Sequence, residues 1–342
     1  MSKKDEQAER RLSLLTRENR RLRNQTLDDM RLVEKLRDAI SILPPPPRYK
    51  VRRGRKSTKE QEVVMLFSDA QLGERIEAQE TGKIGGTQGY DIDVFADRLD
   101  YWTYKVIKVV ESHRGITPIR QGHIFSLGDV LEGRQIFRGQ SARVTDSVMM
   151  QFMKGLDLIA VSFRDIAGHF EELTIDWALG NHGRVGMKDE ELHYVNWEFL
   201  FAQLLKEKLK DCPNIKWNIP KSWWMVVPIK GWKFYLTHGD DLVRYMGVPW
   251  YSLERMDGKV TLMLQEQDIK FDYIVMGHHH QSIQWDRPWG ERIVNGSFSA
   301  GNPFAAKKLQ LSTRPTQTMF GVHPEHGISW RYLIRLDRIK RR

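Results

Sequence analysis

Short runs of apolar residues recur along the chain from residue 61 onward. Runs of this length, without helical spacing, are typical of strands buried on both faces. Two of them flank Lys230 and Gly231, a pair that indicates a hairpin turn. The predicted strands are 63–67, 124–127, 173–179, 224–228, 232–237 and 273–276.

Between these runs the apolar residues take the spacing of amphipathic helices. The predicted helices cover about 94–110, 144–166 and 191–209. Strands that alternate with helices argue for an α/β body that begins near residue 61.

The first 43 residues carry a different pattern, without Gly or Pro and rich in Arg, Glu, Leu and Lys. Apolar positions alternate at spacings of four and three, which is the seam of a coiled coil, and Asn19 is a polar seam residue that can fix register. The alternative is one amphipathic helix packed on its own domain. A coiled coil would bring a homo-oligomer or a protein partner to this arm. The seam positions are Ala8, Leu12, Leu15, Asn19 and Leu22.

Four prolines at 44–47 end the predicted helix, because proline lacks the amide donor and clashes with the preceding turn. A basic stretch follows them. The sequence therefore predicts a helical coiled-coil arm at 1–43, a proline-rich and basic linker at 44–60, and the body at 61–342.

The net charge of +10 is confined to the start of the chain. Residues 1–59 hold 18 Lys and Arg against 8 Asp and Glu, and the rest holds 36 of each sign. A basic arm on a neutral body favours a polyanion partner, and the phosphoester chemistry described below favours nucleic acid, although a solubilising tail has the same composition. The residues expected to contact nucleic acid are Arg52, Arg53, Arg55, Lys56 and Arg138.

The hydrophobic pattern and the cysteine count indicate in which cellular compartment the protein is expected. No apolar run reaches the roughly 18 residues of a membrane span, and the N-terminus lacks the basic-then-apolar pattern of a secretory signal. The one cysteine, Cys212, cannot form an internal disulfide. We therefore expect a cytoplasmic protein without a membrane partner.

Polar side chains follow the predicted strands at the point where each strand ends. Open α/β sheets place their active sites at such strand ends, and neighbouring glycines let the chain turn sharply there. Oxygen and imidazole donors without thiolate suit Mn, Fe, Zn or Ni. The candidate metal ligands are Asp69, Gln71, Asp129, Asn181, His238, His278 and His280.

In this order the segments resemble the calcineurin-like metallophosphoesterase family, whose pattern is D-x-H, G-D-x-x-D, G-N-H-[DE], a lone H, and G-H-x-H. The resemblance covers residues 61 to 335 and implies a four-layer α-β-β-α sandwich, with the N-terminal helical extension outside it and the catalytic domain at 61–342. The matching pieces are DAQ at 69–71, GDVLE at 128–132, GNHG at 180–183, His238, and GHHH at 277–280.

The resemblance also implies roles for these residues. Two divalent metal ions would be bound, with Mn²⁺ the first candidate ahead of Mg, Zn, Fe or Ni, and Asp129 would bridge them. His182 would protonate the leaving oxygen after an activated water attacks phosphorus, while His279 would not be a ligand. One ion would be held by Asp69, Gln71, Asp129 and His280, and the other by Asp129, Asn181, His238 and His278.

Three positions depart from the family pattern. Gln71 stands where a histidine is usual, and an amide oxygen is a poorer donor than imidazole, which favours Mn or Mg over Zn. Glu132 replaces the second aspartate of its segment. Gly183 and Arg184 follow His182 where an acidic residue is usual, so we expect Arg184 to bind phosphate.

A finer resemblance lies at 128–140, which looks like a segment of the small subunit of archaeal family D DNA polymerase, a nuclease of the same superfamily; SbcD-type repair nucleases share the core. This resemblance implies a metal-dependent phosphodiesterase that hydrolyses nucleic acid, with DNA as the expected substrate. The alternatives are a phosphomonoesterase or protein phosphatase on the same core, and a non-catalytic replication accessory subunit.

Overall fold

The structure is a computed structural model. It describes residues 60–79, 89–134, 136, 139–242, 250–299 and 314–337, together with 42–47 and the single residues 16 and 40. The predicted coiled-coil arm and the basic linker lie almost wholly outside the described residues and stay predictions. The same holds for the predicted nucleic-acid contacts Arg52, Arg53, Arg55, Lys56 and Arg138.

Strands and helices alternate through the first half of the described body, and strands dominate its end. The strands are β1 (Gln61–Phe67), β2 (Ile119–Ser126), β3 (Glu172–Trp177), β4 (Ile215–Asn218), β5 (Trp224–Ile229), β6 (Trp232–Thr237), β7 (Tyr273–Met276), β8 (Ile283–Arg287), β9 (Gly290–Val294), β10 (Thr316–His323) and β11 (Gly327–Arg335). The α-helices are α1 (Ile92–Arg114), α2 (Val148–Ala167), α3 (Trp197–Lys208) and α4 (Trp250–Gln265).

The strands form two mixed sheets. In the six-stranded sheet the order is β11-β10-β1-β2-β3-β4, with β1 to β4 parallel and β10 and β11 antiparallel to their neighbours. In the five-stranded sheet the order is β5-β6-β7-β9-β8, with β6, β7 and β9 parallel. Parallel neighbours end at the same edge, which brings the loops after β1, β2 and β3 together.

The two sheets pack face to face, with Leu66 and Phe125 of the first sheet against Phe234 and Val275 of the second. On the outer face of the first sheet, Phe67 contacts Trp102 of α1, with ring centroids 5.5 Å apart. On the outer face of the second sheet, Leu253 and Leu264 of α4 are buried against Tyr235 and Ile274. The layer order is therefore helix, sheet, sheet, helix, and the predicted α/β body of two sheets flanked by helices is confirmed.

Turn and cap residues explain where the elements end. Lys230 and Gly231 both have positive φ, 51° and 88°, as a tight two-residue hairpin requires, so the predicted hairpin is confirmed. The predicted start of α3 near 191 was wrong: Asn196 caps the helix by accepting from the Glu198 amide at 2.8 Å. Ser147 likewise caps α2, so α2 begins later than predicted.

The proline-rich segment is seen at its first residues. The Leu43 amide donates to the carbonyl of Lys208 at 3.2 Å, and Pro46 is buried. This stretch therefore lies along the body beside the end of α3. Within the described part of the chain, none of the helices combines the length and the apolar character that a membrane crossing requires.

Candidate metal centre

The backbone at the strand ends is strained where the candidate ligands stand. Left-handed φ is uncommon for residues other than glycine and costs on the order of 1 kcal/mol or more, so it persists only where the surroundings enforce it. Such outliers cluster at functional sites. Five candidate ligands have it: Asp69 (53°), Gln71 (44°), Asp129 (54°), His278 (63°) and His280 (55°).

Two glycines let these loops approach each other. A Cβ on Gly180 would lie 2.0 Å from the Asp129 amide nitrogen, and a Cβ on Gly128 would lie 2.6 Å from Nδ1 of His238. Neither position has room for a side chain. The glycine of each segment is therefore a packing requirement of the site.

The first group of ligands surrounds Asp129, at the end of β2. Nε2 of His238 lies 3.0 Å from Oδ2 of Asp129, 3.0 Å from Oδ1 of Asn181 and 3.2 Å from Nδ1 of His278. Asp129 and His238 are each 1% exposed. The donor atoms of Asp129, His238 and His278 all lie within 4.8 Å of one another, close enough to hold a metal ion.

The protonation of His238 indicates what fits between these atoms. Its Nδ1 lies 2.6 Å from the carbonyl oxygen of Leu127, which can only accept, so Nδ1 carries a proton. The neutral ring then turns the lone pair of Nε2 toward two oxygen atoms that are also acceptors. Burial would lower the pKa of His238, but the carboxylates of Asp129 and Asp69 outweigh it and raise the pKa well above its ordinary value. This point is therefore built to hold positive charge, which a divalent cation supplies as well as a proton does.

The second group surrounds Asp69, at the end of β1. Nε2 of His280 lies 3.2 Å from Oδ1 of Asp69 and 3.2 Å from Nε2 of Gln71. The opposite end of the Gln71 amide accepts from the hydroxyl of Ser299 at 2.8 Å. One carboxylate, one imidazole and one amide therefore converge here, a set that suits a hard divalent cation.

The two groups are joined through His278, whose amide donates to both carboxylate oxygens of Asp69 at 3.1 and 3.2 Å. Contacts thus link all seven residues that the sequence nominated, and they meet at one end of the two-sheet sandwich. His279 stands between two candidate ligands in the sequence; its side chain is buried, 3% exposed, and its ring centroid lies 5.1 Å from that of His278.

His182 lies beside this cluster with its ring oriented by Glu132. Nδ1 of His182 is 2.9 Å from Oε2 of Glu132, and Nε2 is 3.8 Å from Oδ2 of Asp129. Burial would lower the pKa of His182, but the carboxylates of Asp129 and Glu132 outweigh it and raise the pKa to about 10. The ring can therefore hold a proton next to the candidate metal ligands.

The missing acidic residue after His182 has a steric explanation. A Cβ on Gly183 would lie 2.2 Å from Oδ1 of Asn196, which caps α3. A longer side chain has no room there. Glu132, which the sequence marked only as a departure, supplies the carboxylate that contacts His182 from another loop.

Sequence analysis missed Glu198, which holds the loops after β2 and β3 together. Its carboxylate accepts from the amides of Gly180 at 2.8 Å, Asp129 at 3.1 Å and Val130 at 3.3 Å. Burial, reinforced by the charge of Asp129, raises the pKa of Glu198 to about 7. A glutamate within a predicted helix gave no sign of this role, because its partners are far away in the sequence.

Glu74 was missed as well, although it stands only three residues after Gln71. It is 3% exposed, and its side chain is hydrogen-bonded to Ser299. Burial and the carboxylate of Glu132 raise the pKa of Glu74 to about 7. A carboxylate this close to a candidate ligand in the sequence was the available signal.

Arg184 lies at the edge of the site. Its Nε donates to the carbonyl oxygen of Asn181 at 2.9 Å, and the residue is half-buried. This contact ties the guanidinium to the loop that carries a candidate ligand, while its binding of phosphate stays a prediction.

Comparisons with known proteins give only distant similarity. No protein-family model matches the sequence, and no curated protein matches it. Among solved structures, an archaeal phosphodiesterase aligns at 11% identity and a TM-score of 0.33, over 80% of this chain and 99% of its own. Vacuolar protein sorting 29 from Cryptosporidium parvum aligns at 11% identity and a TM-score of 0.34, over 81% of this chain and 99% of its own. A predicted phosphoesterase from Streptococcus pneumoniae aligns at 10% identity and a TM-score of 0.27, over 80% of this chain and 98% of its own.

Proposed function

We propose that this chain is a metal-dependent phosphodiesterase that hydrolyses nucleic acid, with DNA as its substrate. The observation that carries the proposal is the convergence of acceptor atoms on one point. Oδ2 of Asp129 and Oδ1 of Asn181 each lie 3.0 Å from Nε2 of His238, whose Nδ1 proton is on the far side of the ring. Buried acceptors in this arrangement need positive charge between them, which a divalent cation would supply.

The donor atoms suit a pair of divalent cations, and Asp129 would contribute to holding both. Asn181, His238 and His278 would complete one half-site, and Asp69, Gln71 and His280 the other. When bound, such ions supply Lewis-acid stabilisation of the phosphate and lower the pKa of a water molecule.

The chain itself supplies the proton for the leaving oxygen. Glu132 accepts from Nδ1 of His182, which fixes the ring and directs Nε2 toward the side where Asp129 stands. A general acid held in this way protonates the alkoxide as the phosphorus–oxygen bond breaks. The strained ligand backbones and the Glu198 contacts hold the donor atoms in position for that step.

The choice of nucleic acid is supported by charge and by sequence. The whole excess of +10 lies in residues 1–59, and a concentration of basic residues of this kind favours a polyanion partner. The segment 128–140 resembles that of a DNA nuclease of the same superfamily.

The test is hydrolysis of end-labelled single- and double-stranded DNA with Mn²⁺, with bis-p-nitrophenyl phosphate and p-nitrophenyl phosphate assayed in parallel. Wild type is compared with Asp129→Ala and His182→Ala. His326→Ala is the matched control, because its side chain is 71% exposed at the β10–β11 turn.

We expect DNA cleavage that Asp129→Ala abolishes and His326→Ala preserves. Intact DNA with cleavage of either small ester would reject the DNA substrate and keep the phosphoesterase. Inactivity on all substrates, with Mn²⁺ bound, would reject the enzyme in favour of an accessory subunit.

A further inference from the structure

Gln71 is oriented in a way that bears on how its half-site binds a cation. Its Nε2 lies 3.2 Å from Nε2 of His280, while its Oε1 accepts from Ser299 at 2.8 Å. In this orientation the amide nitrogen, which offers a cation no lone pair, faces His280, the residue that also contacts Asp69. The other half-site has no such obstacle, because His238 already presents its lone pair.

A half-turn about the last bond of Gln71 would exchange the two ends of the amide. Nitrogen and oxygen occupy nearly the same volume, so this exchange needs no other movement. It does require a new partner role for Ser299, whose hydroxyl has one proton to donate and lone pairs to accept with. After the turn, Ser299 would accept from Nε2 of Gln71 and its own proton would need another acceptor.

Glu74 is that acceptor. Its side chain is hydrogen-bonded to the same Ser299, and both residues are buried, at 3% and 0% exposure. A carboxylate attracts a hydroxyl proton more strongly than an amide oxygen does. When Ser299 donates its proton to Glu74, it can only accept a hydrogen bond from Gln71. Nε2 of Gln71 then points toward Ser299, and Oε1 points toward Asp69 and His280.

We propose that Glu74 and Ser299 are positioning residues that turn the amide oxygen of Gln71 toward the cation of this half-site. The half-site then has one imidazole and otherwise oxygen donors, against two imidazoles from His238 and His278 in the other. It therefore binds its ion more weakly and prefers Mn²⁺ or Mg²⁺ over Zn²⁺. This inference rests on the proposed metal centre.

The experiment is a Mn²⁺ titration of the full-length chain after removal of metal, with free Mn²⁺ followed by electron paramagnetic resonance. Wild type, Ser299→Ala, Gln71→His and the double variant are compared. We expect two classes of site in wild type, and a roughly 10–100-fold loss of affinity in the weaker class alone on Ser299→Ala. In the Gln71→His background Ser299→Ala should change nothing, because an imidazole has no amide to turn.

A buried serine in another part of the fold provides the matched control. Ser162 of α2 is 5% exposed and lies 2.6 Å from the hydroxyl of Thr103 in α1, so Ser162→Ala removes a buried hydroxyl without touching the site. It should leave both classes of Mn²⁺ site unchanged.

Each contrary outcome has a distinct meaning. Wild-type affinities in Ser299→Ala would overturn the positioning role and leave the metal centre in place. An equal loss in the Gln71→His background would also overturn it, since Ser299 would then act through the fold. A wild-type chain that binds no Mn²⁺ would overturn the proposed metal centre and this inference together.

Discussion

Glu132 accepts a hydrogen bond from Nδ1 of His182 at 2.9 Å, across 50 residues of sequence. The same glutamate is itself held, because Nε2 of Gln140 donates to its Oε1 at 2.9 Å. The ring that carries the candidate acid proton is therefore fixed by two successive side-chain contacts.

Glu132→Gln should impair His182 without removing metal. If His182 protonates the leaving oxygen, turnover of DNA, whose alkoxide leaves poorly, should fall by about 10²-fold or more. Turnover of bis-p-nitrophenyl phosphate should fall much less, because p-nitrophenolate leaves without a proton. The measurement is kcat on both substrates, with Mn²⁺ content measured alongside.

His182→Ala should reproduce the same contrast between the two substrates. Equal losses on both would argue that Glu132 and His182 organise the site rather than transfer a proton. Loss of Mn²⁺ in His182→Ala would instead move His182 into the ligand set.

Glu198→Ala should destabilise the fold and disorganise the site together. The substitution removes the hydrogen-bond acceptor of three buried amides, those of Gly180, Asp129 and Val130. Each unsatisfied amide costs about 1–3 kcal/mol, so we expect a loss of several kcal/mol in the free energy of unfolding measured in urea. Mn²⁺ affinity should fall in the same variant, because Asp129 is held by one of these bonds.

Glu207→Ala on the same helix is the control for that experiment. Glu207 forms a surface ion pair with Lys210 at 2.7 Å, and its side chain is 38% exposed. Such a pair contributes about 0–1 kcal/mol, so unfolding and Mn²⁺ affinity should stay close to wild type. A similar loss from both substitutions would refute the special role of Glu198.

Gly183→Asp would restore the acidic residue of the family pattern, and it should fail to improve activity. The new Cβ would meet Oδ1 of Asn196 at 2.2 Å. Overpacking of this kind costs about 1–3 kcal/mol.

Gly258→Ala in α4 is the control, because the new methyl group has open space around it; it should be neutral or stabilising by up to about 1 kcal/mol. Thermal unfolding of both variants and DNA cleavage by Gly183→Asp check this; higher activity in Gly183→Asp would contradict it.

The convergence of the candidate ligands was predictable because each follows a strand whose apolar run is visible in the sequence. β7, predicted at 273–276, has those bounds in the structure. By contrast β10 was missed although all eight of its residues are buried, because Thr316, Gln317 and Thr318 interrupt its apolar pattern. Its polar side chains are satisfied by distant partners, such as Ser68 for Gln317, which no local pattern reveals.

The supporting residues of the site were hidden for the same reason. Ser299 reaches Gln71 across 228 residues of sequence, and Glu198 reaches Asp129 across 69. Neither belongs to a strand-end segment. Such residues act through geometry that exists only once the sheets are packed, so a pattern of residue types along the chain cannot indicate them.

A last prediction concerns a buried charge cluster on β1, β2 and β3, separate from the metal ligands. Nε2 of His123 lies 3.1 Å from Oε2 of Glu62, and its Nδ1 lies 3.4 Å from Oδ2 of Asp176. Nζ of Lys230 lies 3.2 Å from Oε1, the other carboxylate oxygen of Glu62. Burial would lower the pKa of His123, but its bonds to Asp176 and Glu62 outweigh it and raise the pKa to about 9.

The raised pKa of His123 determines how the stability of the fold changes with pH. The folded state binds the His123 proton more tightly than the unfolded state, whose pKa is near 6.5. The stabilisation is therefore fully present below pH 6.5 and is lost as the pH rises through about 9. A shift of this size corresponds to on the order of 3 kcal/mol. Burial would raise the pKa of Glu62, but His123 and Lys230 lower it, so the Glu62 contribution is lost only as the pH falls below 4.5.

The measurement is the free energy of unfolding in urea between pH 6 and pH 10, for wild type and His123→Gln. Taking the difference between the two proteins cancels groups that titrate elsewhere. We expect that difference to be largest at pH 6 and to shrink toward pH 10, because wild type loses the His123 charge and the variant never had it. His326→Gln, an exposed histidine, should run parallel to wild type. A His123→Gln profile that also runs parallel would mean that His123 is not charged in the folded protein, and that Glu62 and Asp176 depend on other partners.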